Sequence, residues 1–318
     1  MSMSKFNILV TGGAGFIGSN LVEKLLELGH SVRILDNFSN GKRENIKPFL
    51  SDIQLFEGSI TDPLLCKKAC EGVNLVSHQA AYGSVPRSLK DPSLYSHNNL
   101  HGFVVLAQAA REAGVERLAY ASSSSVYGTQ ADSPKVEERI GTPLSPYAAS
   151  KLANEIFAHS FSNAFGLTCI GLRYFNVYGP KQDPFGAYAA VVPLFFSHLL
   201  RQSSPLIYGD GEQSRDFTYV ENVVQANIQA LTAPGLSGSK VYNIGCGETT
   251  TVNMLFKGIA GLLGSTLSPS YQEPRAGDVR NSLANISKAQ LELGYDPKIK
   301  LAEGLAKTYP HFASLFAN

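Results

Sequence analysis

From Phe6 to His30 the chain reads FNILVTGGAGFIGSNLVEKLLELGH: an apolar run, a turn with glycine at 12, 15 and 18, then a helical period that stops at Gly29. A strand that ends in spaced glycines and re-enters as a helix lets the backbone approach a ligand. The helix start then presents unpaired N–H groups, suited to a pyrophosphate. Further apolar runs follow as SVRILD, IQLFEGS, VNLVSHQAA and RLAYASSS, with helical stretches between most of them. Near-continuous apolar strands alternating with helices predict an α/β fold, a doubly wound parallel sheet covered on both faces.

At 318 residues the chain is long enough for about two domains. After Gly179 it changes character, with more Pro and Gly, shorter elements, and insertions such as GPKQDPFGAY and EPRAGDVRNS. The expected division is a nucleotide-binding domain over 1–179 and a smaller, mainly substrate-binding domain over 180–318, with some segments returning to the first sheet. There is no internal repeat. With 27 basic against 26 acidic residues, the net charge of +1 argues against nucleic acid and against an anionic membrane as partner. Cys66 and Cys70 are spaced as helical neighbours, Cys169 and Cys246 lie apart, and no second cluster completes a metal site. No metal is expected, and the thiols read as reduced. The N-terminus runs into a strand without a leader pattern, and no apolar segment is long enough to span a bilayer, so a cytoplasmic location is expected.

Asp36 closes the second strand, where a carboxylate accepts hydrogen bonds from a ribose 2′-hydroxyl and repels a 2′-phosphate. That favours NAD, while Lys42 and Arg43 in the next loop leave NADP open. Tyr147 and Lys151 lie four apart in SPYAASKLANEIFAHS, a helical stretch opened by Ser145-Pro146, and so share one helix face. A free phenol, pKa ~10, is a poor base near neutrality. A nearby ammonium is expected to favour the phenolate and bring that value down.

The set TGGAGFIG, LDN, HQAA, SSSSVYG, YAASK, RYFNVYGP, RDFTYV and EPRAGDVRNSLANISKA resembles the extended short-chain dehydrogenase/reductase superfamily over nearly the whole chain. The late motifs are similar to those of UDP-hexose 4-epimerases, in particular the type that acts on N-acetylated sugars, the UDP-N-acetylglucosamine 4-epimerases. The resemblance implies a Rossmann domain with a smaller C-terminal substrate domain, tightly held NAD, a UDP-sugar substrate and a homodimer formed through a helix bundle. It implies Ser123, Tyr147 and Lys151 as the catalytic residues. For the cofactor it implies Gly12, Gly15, Phe16, Ile17, Gly18, Asp36, Asn37, Ser39, Gly41, Ser59, Ile60, Gln79, Ala80, Ala81, Asn99 and Tyr174, besides Tyr147 and Lys151. Where many relatives read Gly-Asp-Ile after the third strand, this chain reads Gly58-Ser59-Ile60, with a serine in place of the adenine-contacting Asp.

The run Ser122–Ser125 bears on the reaction. Dehydratases resembling this chain carry Asp-Glu at the positions of Ser124 and Ser125, and decarboxylases carry a Glu beside the Val-Tyr. An epimerase needs neither, only a base, a hydrogen-bonding hydroxyl such as Ser123 and room for the sugar to turn over. Ser122 reads as a strand-end serine that satisfies backbone groups. For the substrate the resemblance implies Asn176 on the phosphate or sugar, and Arg215 and Arg275 on the diphosphate, where a guanidinium fork suits phosphate. It further implies Asp278 on the ribose, Tyr208 near the uracil, and Gly83, Ser84, Ser124, Gln182, Ala190, Val191 and Ser282 around the sugar. A small residue at 282 leaves room for a 2-acetamido group, where a tyrosine would exclude it. The alternatives are another nucleotide-sugar enzyme of this scaffold (a dehydratase, decarboxylase or C5-epimerase) and a catalytically silent NAD(P)-binding regulator.

Overall fold

Strand β1 (Asn7–Thr11) buries every residue after Asn7, which a strand achieves only when both faces of its sheet are covered. The structure, a computed structural model, describes residues 5–186, 189–274 and 280–317. Six more strands join β1: β2 (Ser31–Asp36), β3 (Ile53–Glu57), β4 (Leu75–His78), β5 (Arg117–Ser123), β6 (Thr168–Tyr174) and β7 (Ser239–Ile244). All pair in parallel, in the order β7-β6-β5-β4-β1-β2-β3. The chain winds outward from β1 on one side, then returns to β4 on the other. The crevice outside the carboxyl ends of β1 and β4 is the switch point where such sheets bind ligands. The expected doubly wound sheet is therefore present, and its seventh strand comes from beyond residue 179.

Helices cover both faces. Helix α1 (Phe16–Glu27) packs on one face, α2 (Pro63–Cys70), α3 (Gly102–Glu112) and α4 (Pro146–Phe165) on the other. Their ends follow local chemistry. Asp62 accepts from the N–H groups of Leu64 and Leu65 and is followed by Pro63, while Ser145 accepts from Ala148 N at 3.1 Å and is followed by Pro146. Helix α4 stops at Gly166, in the left-handed conformation at φ +74°.

Beyond residue 179, α5 (Val191–Leu200), α7 (Val252–Leu263) and α8 (Leu301–Leu315) share an aromatic core, with Phe195 edge-on to Phe256 and Phe196 stacked on Phe312. Between α5 and α7, α6 (Val220–Thr232) packs back on the sheet beside α1. Among the described residues three short sheets complete this part, one of them Ser214–Arg215 flanked by Thr250–Thr251 and Asn281–Ser282. Among the described residues all four cysteines are free and buried, no group of His, Cys, Asp and Glu could hold a metal, and no helix is long and apolar enough to cross a membrane.

Candidate active site

The turn between β1 and α1 is built on backbone contacts that leave no room for side chains. A Cβ on Gly12, whose φ is +68°, would lie 2.6 Å from Ala80 N, and one on Gly18 would lie 2.1 Å from the Gly12 carbonyl oxygen. No side chain caps α1 at Gly15. A groove opens here, lined by Gly12, Gly15, Leu35, Asp36, Asn37, Ser39, Asn40, Gly41, Gly58, Ile60, Gln79, Ala80, Ala81 and Asn98. Ten of the residues expected at the cofactor thus line one groove. Phe16, Ile17 and Gly18 form the adjoining first turn of α1. Ser59 is bonded instead to Thr61, at 2.8 Å between hydroxyls. Asn99 is fully buried, its amide bonded to both backbone groups of Tyr82 and to Ser150, and its neighbour Asn98 reaches the groove.

Asp36 is 7% exposed and accepts from Ala14 N at 2.9 Å and Phe38 N at 2.8 Å. Burial raises its pKa and these two bonds hold it back. Lys42 pairs with Asp183 at 3.1 Å and Arg43 with Glu57 at 2.5 Å, exposed ion pairs that set both cations beside carboxylates. An uncapped helix start, glycine backbone at the floor and a buried carboxylate at the end of β2 fit NAD.

At the other end of the groove, Lys151 is 2% exposed and its Nζ donates to the Ala121 carbonyl at 2.8 Å. Desolvation pulls its pKa down to about 8. Tyr147, half-buried one turn earlier, is pushed up by burial, and the Ser123 hydroxyl beside it opposes that rise. This departs from the expectation of a phenol lowered by its lysine. The ammonium is itself desolvated and turned to a carbonyl, and burial dominates both groups. Tyr174 donates to Gln79 Oε1 at 3.0 Å and accepts from Asn227 Nδ2 at 2.8 Å, which fixes Gln79 against the groove. Ser123 Oγ also accepts from Ser125 N, and Ser124 begins the short turn that follows. Ser122 corrects its own reading: its hydroxyl donates to the buried Glu155 carboxylate at 2.5 Å, not to backbone.

Asn176, Arg215 and Ser282 gather around one residue the sequence reading missed, Asp216. This fully buried carboxylate accepts from the N–H groups of Cys246, Gly247 and Ala284, and burial pushes its pKa up to about 6. Asn176, at φ +33°, donates to the Asp216 carbonyl at 3.3 Å, and Arg215 faces Ser282 in the parallel register. Ser84 caps the short helix Val85–Lys90 and accepts at its carbonyl from Tyr95, whose ring meets Tyr147 edge-on at 6.2 Å; Gly83 precedes it. Gln182 bonds the Val177 carbonyl, Ala190 and Val191 open α5, and Tyr208 closes the strand Leu206–Tyr208. Arg275 and Asp278 lie outside the described residues.

Residues 8–245 match the NAD dependent epimerase/dehydratase family. The chain belongs to this family. It is 40% identical over 308 residues to the UDP-glucose 4-epimerase of Mycolicibacterium smegmatis, covering 96% of this chain and 97% of that protein. Two solved structures superpose closely. The UDP-glucose 4-epimerase of Thermotoga maritima with UDP-glucose has a TM-score of 0.92 and 40% identity, covering 97% of this chain and 99% of the other. The UDP-N-acetylglucosamine 4-epimerase of Methanobrevibacter ruminantium in complex with UDP-N-acetylmuramic acid has a TM-score of 0.93 and 39% identity, covering 98% and 100%. NAD is the cofactor of this family, and the groove's buried carboxylate and glycine backbone fit it.

The buried lysine has a measurable consequence. Its value in the fold, about 8, lies below the unfolded value near 10.5, so between those limits the unfolded chain binds more protons and stability rises with pH. Lys151→Met removes that contribution. The stability of the variant relative to the parent, read by denaturant unfolding, is expected to decline from pH 8 to 10.5, and a constant difference would contradict a desolvated ammonium.

Proposed function

We propose that this chain is a UDP-sugar 4-epimerase whose substrates are UDP-N-acetylhexosamines, interconverting UDP-GlcNAc and UDP-GalNAc. One observation carries the reading: Ser123, Tyr147 and Lys151 meet at the carboxyl end of β5 while Ser124 and Ser125 offer no carboxylate for elimination or decarboxylation. The wider reading, C4 epimerisation of a UDP-sugar, is supported by likeness to the UDP-glucose 4-epimerases of M. smegmatis and T. maritima. The narrower one is supported by the M. ruminantium structure and by a serine at 282.

NAD, when bound, supplies a two-electron acceptor that can hand its hydride back. Gly12, Gly15 and the start of α1 would hold its pyrophosphate, and Asp36 its ribose. Tyr147 takes the proton of the sugar 4-hydroxyl and returns it after the 4-keto sugar has turned over. Ser123 shares that hydrogen bond, and once NAD is bound the Lys151 ammonium, released from the Ala121 carbonyl, would stabilise the phenolate. Arg215 and Arg275 hold the diphosphate and Asn176 the sugar end. Ser124 and Ser125 leave space for the turnover. The first 179 residues serve the cofactor and the remainder chiefly the substrate.

Ser282 separates the wider reading from the narrower. Parent enzyme should interconvert the N-acetylated pair without added reductant, and a build-up of NADH or of a dehydrated or decarboxylated product would contradict epimerisation. Ser282→Tyr adds a ring beside the C2 substituent, and overpacking of ~1–3 kcal/mol corresponds to about ten- to a hundredfold in rate. The loss of kcat/KM should fall on UDP-GlcNAc and UDP-GalNAc and largely spare UDP-Glc and UDP-Gal. Equal loss on all four removes Ser282 from the C2 pocket.

The chain is also proposed to work in the cytoplasm as a homodimer joined through α4, where Ile156 and Phe157 are 62% and 39% exposed. Sedimentation velocity should show a dimer for the parent and a monomer for Ile156→Asp; an unchanged dimer places the interface elsewhere.

A further inference from the structure

Three consecutive residues at the end of β5 are each engaged by one face of α4. The Ala121 carbonyl accepts from Lys151 Nζ at 2.8 Å, Ser122 Oγ donates to Glu155 Oε1 at 2.5 Å, and the Ser123 hydroxyl faces the Tyr147 phenol. Residues 147, 151 and 155 are spaced by four, so they form one stripe along the helix. Two of the three are in the catalytic machinery. The third touches neither the groove nor the groups around Asp216.

Glu155 is nonetheless elaborately held. Arg173 on β6 binds both its carboxylate oxygens, Nε to Oε1 at 2.9 Å and Nη2 to Oε2 at 2.7 Å, with the two side chains 4% and 8% exposed. The remaining Nη1 donates to the Glu137 carbonyl at 2.9 Å, and the guanidinium lies 4.9 Å over the Tyr127 ring. The Tyr127 hydroxyl in turn donates to Asn243 on β7 at 2.6 Å. Apolar residues often stabilise a core as well as or better than a buried ion pair. What such a pair does supply is direction. A bidentate arginine fixes the carboxylate in plane and position, and Ser122 then reads that position from the strand.

We infer that Glu155, anchored by Arg173, is a positioning residue that sets the register of α4 against β5 and thereby holds Tyr147 to Ser123. The inference rests on the reading of Tyr147 as the proton-handling group. If the Ser122–Glu155 bond is lost, the helix face is free to shift along the strand. The contact most exposed to such a shift is the one at its amino end, between Tyr147 and Ser123. Ser123 is the group that opposes the effect of burial on the phenol.

The test compares parent, Ser122→Ala and Glu155→Gln as NAD-loaded proteins carrying ¹³Cζ-labelled tyrosine, with the Tyr147 resonance assigned by its loss in Tyr147→Phe. In both variants the Tyr147 titration should move to higher pH by roughly half a unit to one unit, the worth of about one hydrogen bond. At fixed pH, kcat should fall roughly three- to tenfold with KM unchanged. Ser122→Ala leaves the ion pair intact and carries the test alone if Glu155→Gln does not fold. Unmoved titrations, with or without a drop in Tm, would overturn the inference and leave the pair a structural feature. The titration is read without turnover, so it stands even if the parent acts on a different sugar.

Discussion

The amino end of α1 can reach the switch point of the sheet only because three positions carry no side chain. A Cβ at 18 would fall 2.1 Å from the Gly12 carbonyl oxygen, one at 12 would fall 2.6 Å from Ala80 N, and one at 13 would fall 2.8 Å from the Ile34 side chain. Repulsion at such distances cannot be relieved by rotating a side chain, because two of the three neighbours are backbone. The turn thus joins β1, the end of β4 and α1 into one rigid corner. The rest of the groove is placed by that corner: β2 delivers Asp36 beside it, and the loop after β4 lays Gln79, Ala80 and Ala81 along the opposite wall.

The second governing effect is desolvation. Burial raises Tyr147 and Asp36, pushes Asp216 up to about 6, and pulls His78 down to about 3 and Lys151 to about 8. Each shift favours the neutral form, as low polarizability around a charge demands. Near neutrality the phenol is held neutral, while Lys151, at about 8, keeps most of its charge. Ionising the phenol has to overcome burial, which gives weight to the Ser123 hydroxyl that opposes it.

Much of this was legible in the chain because the signals are local. Strand, glycine turn and helix follow one another from Phe6 to Gly29, Asp36 closes the next strand, and Ser145-Pro146 announces α4. The tertiary contacts were not. Asp216 and Asn227 sit in RDFTYV and in an ordinary amphipathic helix, and their roles appear only when β6, β7 and the 281–285 segment come together. Ser122 looked like a strand-end serine because Glu155, its partner, is 33 residues away. Lys42 and Arg43 left NADP open, and only the fold sets them beside Asp183 and Glu57.

The central claim, that Tyr147 moves a proton while hydride leaves C4 and returns to the same carbon, is tested most directly with a substrate deuterated there. The NAD-loaded protein is incubated with UDP-GlcNAc carrying deuterium at C4, and both epimers are analysed by NMR and mass spectrometry. The account predicts that UDP-GalNAc forms with deuterium retained at C4 and none in solvent. It predicts that Tyr147→Phe slows this by ~10²–10⁴-fold at unchanged NAD content. Deuterium lost to water or found at another carbon, or a parent-like rate in Tyr147→Phe, would contradict it.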